Sequence, residues 1–127
     1  MSSSNNRQVE KEPSSLVGVR VLVVEDTWHV AKALKSALEH MGMKVCGPTA
    51  TIEAARRLFA EQMPCMAVVD VNLNGEMACG LIEELHDHGV RVIVTSGYAN
   101  PPVPAHKAAA ILQKPFSAAE LMGALRG

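Results

Sequence analysis

Five side chains carry the chemistry this sequence offers: the acid pair Glu25-Asp26, a third acid at Asp70, the hydroxyl of Ser96 and the ammonium of Lys114. Each follows a short apolar run: VRVLVV before Glu25, MAVV before Asp70, RVIV before Thr95 and Ser96, and AAILQ before Lys114. Any one of them has an ordinary use. Acids ahead of a helix suit its dipole, an Asp after a strand caps a turn, and Ser96-Gly97 is a common turn dipeptide. Four apolar runs that each end in a compatible group are hard to reconcile with four separate accidents. Three crowded carboxylates repel one another unless a cation shares the site. Oxygen-only ligands with open positions favour Mg²⁺. In such a cluster Asp70 is the natural nucleophile, Lys114 balances the charge of incoming phosphoryl oxygens, and Ser96 donates a hydrogen bond to one of them. Phosphoryl transfer to a carboxylate requires little beyond positioning and charge neutralisation.

The elements that must bring these groups together alternate along the chain. The spacing predicts strands over 19–24, 44–48, 66–70, 91–96 and 109–113. Between the first two lies a helix with Val30, Leu34, Leu38 and Met41 on one face, ending at Gly42. Pro48 lacks an N–H, which puts the second strand at a sheet edge. Thr51 is expected to cap a second helix with Ile52, Ala55, Phe59 and Met63 inward. A third helix is expected over 77–85, and Ser117 to Glu120 read as a capping box that opens a last helix with Leu121 and Leu125 inward. Strands this continuously apolar are covered on both faces, and their alternation with helices means a parallel sheet. The class is therefore α/β: a five-stranded parallel doubly wound sheet in the order 2-1-3-4-5, with sites at the carboxyl ends of its strands. Pro101, Pro102 and Pro104 rule out a regular helix before about residue 105, so the fourth crossover is expected to be short.

Length and composition set the outer bounds. The 127 residues suit one domain, 48% apolar and 20% charged, with only 3% aromatic residues, so the core must be aliphatic. A net charge of −1 gives no general reason to bind nucleic acid or an anionic membrane. The apolar runs are far too short to span a bilayer, and no signal-peptide pattern opens the chain. Cys46, Cys65 and Cys79 are scattered, so reduced thiols and a cytoplasmic location are expected. Residues 1–17 read as a disordered tail or tag remnant ahead of a domain over 18–127.

Taken together, VLVVED, VVDVNLNGE, VIVTSGY and ILQKPF resemble, in order, the receiver domain of bacterial two-component response regulators, whose fold is flavodoxin-like. The resemblance covers about residues 19 to 126. It implies that Glu25, Asp26, Asp70 and the backbone carbonyl of Asn72 hold Mg²⁺. It also implies that Asp70 is the phosphoacceptor, that Ser96 and Lys114 contact the phosphoryl group, and that the Lys114–Pro115 bond is cis. A histidine kinase or histidine phosphotransferase would be the donor and a downstream protein the reader, the chain acting as phosphoacceptor rather than as a turnover enzyme; the charge balance adds the expectation of no direct DNA binding and no membrane contact. The chain departs from the family at two places. Asn74-Gly75 replaces the frequent proline after the phosphoacceptor, and Ile111 stands three before the lysine, where an aromatic residue usually reports the switch. TSGY and the short Pro-rich crossover resemble a subgroup of small receivers that work beside sensor kinases, as stand-alone chains or as parts of hybrid kinases.

Trp28 is expected at the rim of the site and Tyr98 at the mouth through which attacking water arrives. His86 and His88 sit at a helix end where they suit the dipole, and their i, i+2 spacing argues against zinc. Met41, Met43, Met63 and Met66 are expected to fill the core. Two other classes compete with the receiver reading. One is a Mg²⁺-dependent phosphatase with an Asp nucleophile, disfavoured because such enzymes place Asp-x-Asp on the first strand. The other is an interaction module whose phosphorylation is vestigial.

Overall fold

The computed structural model describes residues 15–103 and 105–127. Its strands and helices are β1 (Arg20–Val24), α1 (Trp28–His40), β2 (Lys44–Thr49), α2 (Ile52–Gln62), β3 (Met66–Asp70), the two-residue strands β4 (Asn72–Leu73) and β5 (Glu76–Met77), α3 (Cys79–Asp87), β6 (Arg91–Ser96), β7 (Ala110–Gln113) and α4 (Ala118–Arg126). Five strands form one sheet in the order β2-β1-β3-β6-β7, and every pairing in it is parallel. With the β4–β5 hairpin set aside, this is the expected 2-1-3-4-5 order.

Strand alternation sorts the core into two layers. Leu22, Val24, Ala67, Val69, Val92 and Val94 pack against α2 and α3 through Ile52, Ala55, Leu81, Ile82 and Leu85. Val21, Val23, Val68 and Ile93 face the other way, onto Leu34 and Leu38 of α1 and Leu121 and Leu125 of α4. Full burial of each such side chain stabilises the fold by about 1.5–3 kcal/mol before chain entropy is counted. This two-sided burial is why the strands read as unbroken apolar runs.

Pro48 does sit in an edge strand. Gly47 beside it has φ 99°, and the β1–β2 register slips between Leu22 and Val24 at that point. A Cβ at Gly47 would lie 3.0 Å from the Thr49 nitrogen and 3.2 Å from the Val23 carbonyl oxygen, so the slip requires glycine. Both Gly47–Pro48 and Lys114–Pro115 are cis.

The expected caps are present. Thr51 Oγ1 accepts from the Ala54 N–H at 3.1 Å. Ser117 Oγ accepts from Glu120 N–H at 3.0 Å, while Glu120 Oε1 accepts from Ser117 N–H at 2.9 Å.

Three sequence expectations need correction. Helix α3 begins at Cys79 rather than Met77, because Asn74 (φ 54°) and Gly75 (φ 93°) make the two-residue turn of a hairpin pairing Asn72 with Met77 and Leu73 with Glu76. Asn-Gly with both φ positive is the favoured chemistry for such a turn. Met63 is 65% exposed rather than core filler: α2 stops at Gln62, Met63 turns left-handed (φ 49°) as its C-cap, and Pro64 cannot extend the helix. Met41 is only half-buried, whereas Met43 and Met66 are in the core as expected.

The fourth crossover is short, as the prolines require. It contains one 3₁₀ turn, Ala105–Lys107, held by the Lys107–Asp87 ion pair (2.9 Å), and Cys79 Sγ donates to the Pro102 carbonyl at 2.8 Å. Of the expected tail, residues 1–14 lie outside the described residues. Leu16 packs onto the α1–α4 layer, so the packed body reaches back to it.

Candidate functional site

β1 and β3 end side by side, and each delivers an acid where the sheet meets its loops. Ligand oxygens of Glu25, Asp26 and Asp70 all lie within 4.8 Å of one another. Lys114, one residue past β7, reaches across the top of the sheet. Its Nζ donates to Asp70 Oδ2 at 2.8 Å and to Glu25 Oε1 at 3.0 Å. The second oxygen of each acid takes a backbone donor. Asp70 Oδ1 accepts from Asn72 N–H (3.1 Å), and Glu25 Oε2 accepts from Thr27 N–H (3.1 Å). Four of the six groups expected at this site therefore converge through their side chains. Asn72 joins them through its N–H.

Burial and the lysine bridge set the electrostatics together. Glu25 is 2% exposed and Asp70 5%. Burial pushes the Glu25 carboxyl above the usual carboxylate range; the nearby Asp70 charge adds to this, against hydrogen bonds from Lys114 and the Thr27 N–H. Burial also disfavours the Lys114 ammonium, but hydrogen bonds to Asp70 and Glu25, together with their charges, outweigh it and hold its pKa above the ordinary lysine value. A lysine locked positive between two buried acids is a charge balance that an arriving cation and anion can redistribute. Three carboxylates close enough to share one ion, with no nitrogen or sulfur donor among them, suit a hard divalent cation.

Ser96 stands at the carboxyl end of β6, but its hydroxyl is engaged elsewhere. Oγ accepts from Tyr98 N–H at 2.8 Å and donates to the Tyr98 carbonyl at 3.2 Å, and it makes no hydrogen bond to Asp70 or Lys114. Tyr98 borders the cleft over Asp70, which also takes in Asp26, Thr27, Asn72, Asn74, Gly75, Gly97 and Lys114 and holds about 430 Å³. Asn72 ties this rim together: its Nδ2 donates to Tyr98 Oη at 2.9 Å, and its Oδ1 accepts from Gly75 N–H at 2.7 Å. Trp28 is 72% exposed at the start of α1, with Lys32 Nζ 5.0 Å from its ring centre. His86 pairs with Asp87 and His88 with the Glu84 carbonyl. A larger groove of about 600 Å³ between α1 and α4 is mostly apolar, and its titratable lining is His29 and Lys114. The acid chemistry belongs to the smaller cleft.

Two contributions escaped the sequence reading. The Thr27 N–H on Glu25 has no side-chain signature. The separation of Thr95 from Ser96 does have one, the two-residue alternation of β6.

A doubly wound parallel sheet with an acid trio and a lysine at its carboxyl edge is the framework of a divalent-cation site beside a fixed positive charge. The family model for the response regulator receiver domain matches residues 21–126, and the chain belongs to that family. The C4-dicarboxylate transport transcriptional regulatory protein DctD of Pseudomonas aeruginosa is 32% identical over 116 residues. The match covers 84% of this chain and 24% of that protein, so the chain spans about a quarter of its relative's length. Among solved structures, the response regulator PhyR from Brucella abortus shares the fold with a TM-score of 0.77 at 24% identity, over 91% of this chain and 49% of that one. A receiver domain from Methylobacillus flagellatus shares it at 0.76 and 21%, over 86% of this chain and 97% of that one. A response regulator from Burkholderia pseudomallei, solved with a phosphorylated aspartic acid, calcium ion and citrate, is 26% identical with a TM-score of 0.75, over 84% of this chain and 66% of that one.

Proposed function

We infer that this receiver accepts a phosphoryl group on Asp70 from a histidine kinase or histidine phosphotransferase in the cytoplasm and signals the change to a protein partner. The observation that carries this reading is the Lys114 bridge, 2.8 Å to Asp70 and 3.0 Å to Glu25. It holds a positive charge where phosphoryl oxygens would arrive beside the one acid displayed at the centre of the sheet.

Glu25, Asp26, Asp70 and the carbonyl of Asn72 would hold Mg²⁺, which supplies charge neutralisation for the phosphoryl oxygens. The remaining work falls to the chain's own groups. An Asp70 oxygen forms the new bond to phosphorus as the bond to the donor histidine nitrogen breaks, its electron pair staying with the imidazole. Asn72 N–H keeps the carboxyl oriented during the exchange. Lys114 then follows the added negative charge away from Glu25, which weakens a contact between β7 and β1. Ser96 Oγ would leave the Tyr98 backbone to meet the phosphoryl group, and the Tyr98 loop would move with it. That rearrangement is the two-state element a partner reads. The chain serves here as phosphoacceptor, not as an enzyme that turns over phosphomonoesters.

Mass spectrometry of the chain with Mg²⁺ and an acylphosphate donor tests the assignment. The intact protein should gain one phosphoryl group, and Asp70→Asn should gain none. Equal labelling of the two would refute it, and steady hydrolysis of a phosphomonoester would favour a phosphatase instead.

A further inference from the structure

β6 ends in two successive hydroxyl residues, and the sheet sends them to opposite faces. Ser96 continues the row of Val92 and Val94, which pack on the α2–α3 side. Thr95 continues the row of Ile93, on the α1–α4 side. Asp70 stands on that same side: it follows Val68 by two residues and is the register partner of Thr95 across β3 and β6. Lys114 reaches Asp70 from the same side, two residues beyond Leu112, the partner of Thr95 across β6 and β7. Thr95 is 1% exposed, and its Oγ1 is buried with no hydrogen-bond partner among the described residues. An unmade hydrogen bond on a buried hydroxyl is a standing penalty. Valine would fill the same space and suit the strand without it. An idle donor has therefore been placed in the strand next to the reactive carboxylate, at an interstrand spacing of about 4.8 Å.

We propose that Thr95 is a reserve hydrogen-bond donor to the Asp70 carboxyl, taking over the oxygen that Lys114 releases when it turns to the phosphoryl group. This rests on the reading of Asp70 as phosphoacceptor. At rest, Asp70 Oδ2 is satisfied by Lys114 and the Thr95 hydroxyl waits. During transfer, Asp70 gains its oxygen–phosphorus bond as the donor–phosphorus bond breaks, and Lys114 follows the phosphoryl charge. The deserted carboxyl oxygen then has a lone pair open to a hydrogen-bond donor. In hydrolysis a water oxygen bonds phosphorus, the Asp70–phosphorus bond breaks, the water proton leaves with phosphate, and negative charge returns to the carboxyl. A donor that engages mainly while charge is moving onto or off that oxygen lowers the barrier in both directions.

The test compares wild type, Thr95→Val, Thr95→Ala, Thr95→Ser and Asp70→Asn, with an acylphosphate donor and Mg²⁺. Rates of phosphoryl gain and of subsequent loss are followed by mass spectrometry, with urea unfolding of each variant alongside. Thr95→Val should slow both gain and loss roughly 3- to 10-fold, the range one net hydrogen bond supports, without lowering the urea midpoint. Thr95→Ser should restore both rates. Thr95→Ala supplies a second hydroxyl-free side chain in case valine disturbs folding. Wild-type rates in the hydroxyl-free variants would overturn the proposal. So would a Thr95→Ser protein as slow as Thr95→Val, which would assign the effect to shape. Failure of the Asp70 reading itself would show differently, as absent labelling of the wild type or retained labelling of Asp70→Asn.

Discussion

Glu25 is costly to bury and is kept. Its carboxyl has lost nearly all contact with solvent, and its pKa stands above the value it has in an unfolded chain. Below the ordinary glutamate pKa of about 4.3 both states hold the proton and nothing is lost. As pH rises from there, the unfolded chain releases its proton first, so native stability falls until the pH has passed the raised folded value. In Mg²⁺-free buffer, Glu25→Gln should remove that part of the decline and leave the fold at least as stable at pH 7, while binding of the cation is lost. Urea midpoints between pH 4 and pH 8, with and without Mg²⁺, measure both effects. An unchanged pH slope in the variant would show that the Glu25 burial penalty is already offset by Lys114.

Elements impose a second set of demands, which differ sharply between glycines. Gly47 is left-handed at the β1–β2 slip with a backbone nitrogen 3.0 Å from any added Cβ, so Gly47→Ala should cost about 1–3 kcal/mol. Gly123 is inside α4, where a Cβ meets nothing within 4 Å, and Gly123→Ala should stabilise by about 0.5–1 kcal/mol. Chemical denaturation of the two single variants checks both signs. The element scale is also where legibility in the sequence was uneven. The five sheet strands, the edge position forced by Pro48, the Thr51 and Ser117 caps and the truncated fourth crossover could all be read, because each depends on residues adjacent in the chain. The hairpin at Asn74-Gly75 carried the strongest short-range turn signal available, yet its flanking strands are only two residues long, too brief for periodicity to mark. Met63 fitted a helical spacing, and only the start of Pro64 said that the helix had already ended. At the site, the acids and Lys114 were legible as strand-end polar residues. The face on which each hydroxyl stands was not, since that requires counting the pleat from a buried neighbour.

At the scale of the whole molecule, cation binding and folding are linked, because the acids that would hold the ion come from β1 and β3 and meet only in the folded chain. At a Mg²⁺ concentration ten times its dissociation constant, the native state should gain about 1.4 kcal/mol. Asp26→Asn should show much less of that gain in the same urea titration. The two-layer core explains why such a gain reaches the whole fold: every strand that ends at the site is also clamped between α1–α4 and α2–α3. Ile111 marks where this cover is thin. It is 41% exposed on the α2–α3 face, beside a crossover that offers one 3₁₀ turn where another helix would otherwise lie. Val94, two residues before Ser96 on β6, meets the half-exposed Ile111 across a single strand pairing.

Trp28 gives the molecule a reporter of its own. The chain holds a single tryptophan, and it stands two residues past Asp26 with its indole in water under the Lys32 ammonium. Fluorescence excited at the indole band thus comes from one place, close in the chain to Asp26, and a ligand that shifts the start of α1 or the Lys32 ammonium should change it without a label.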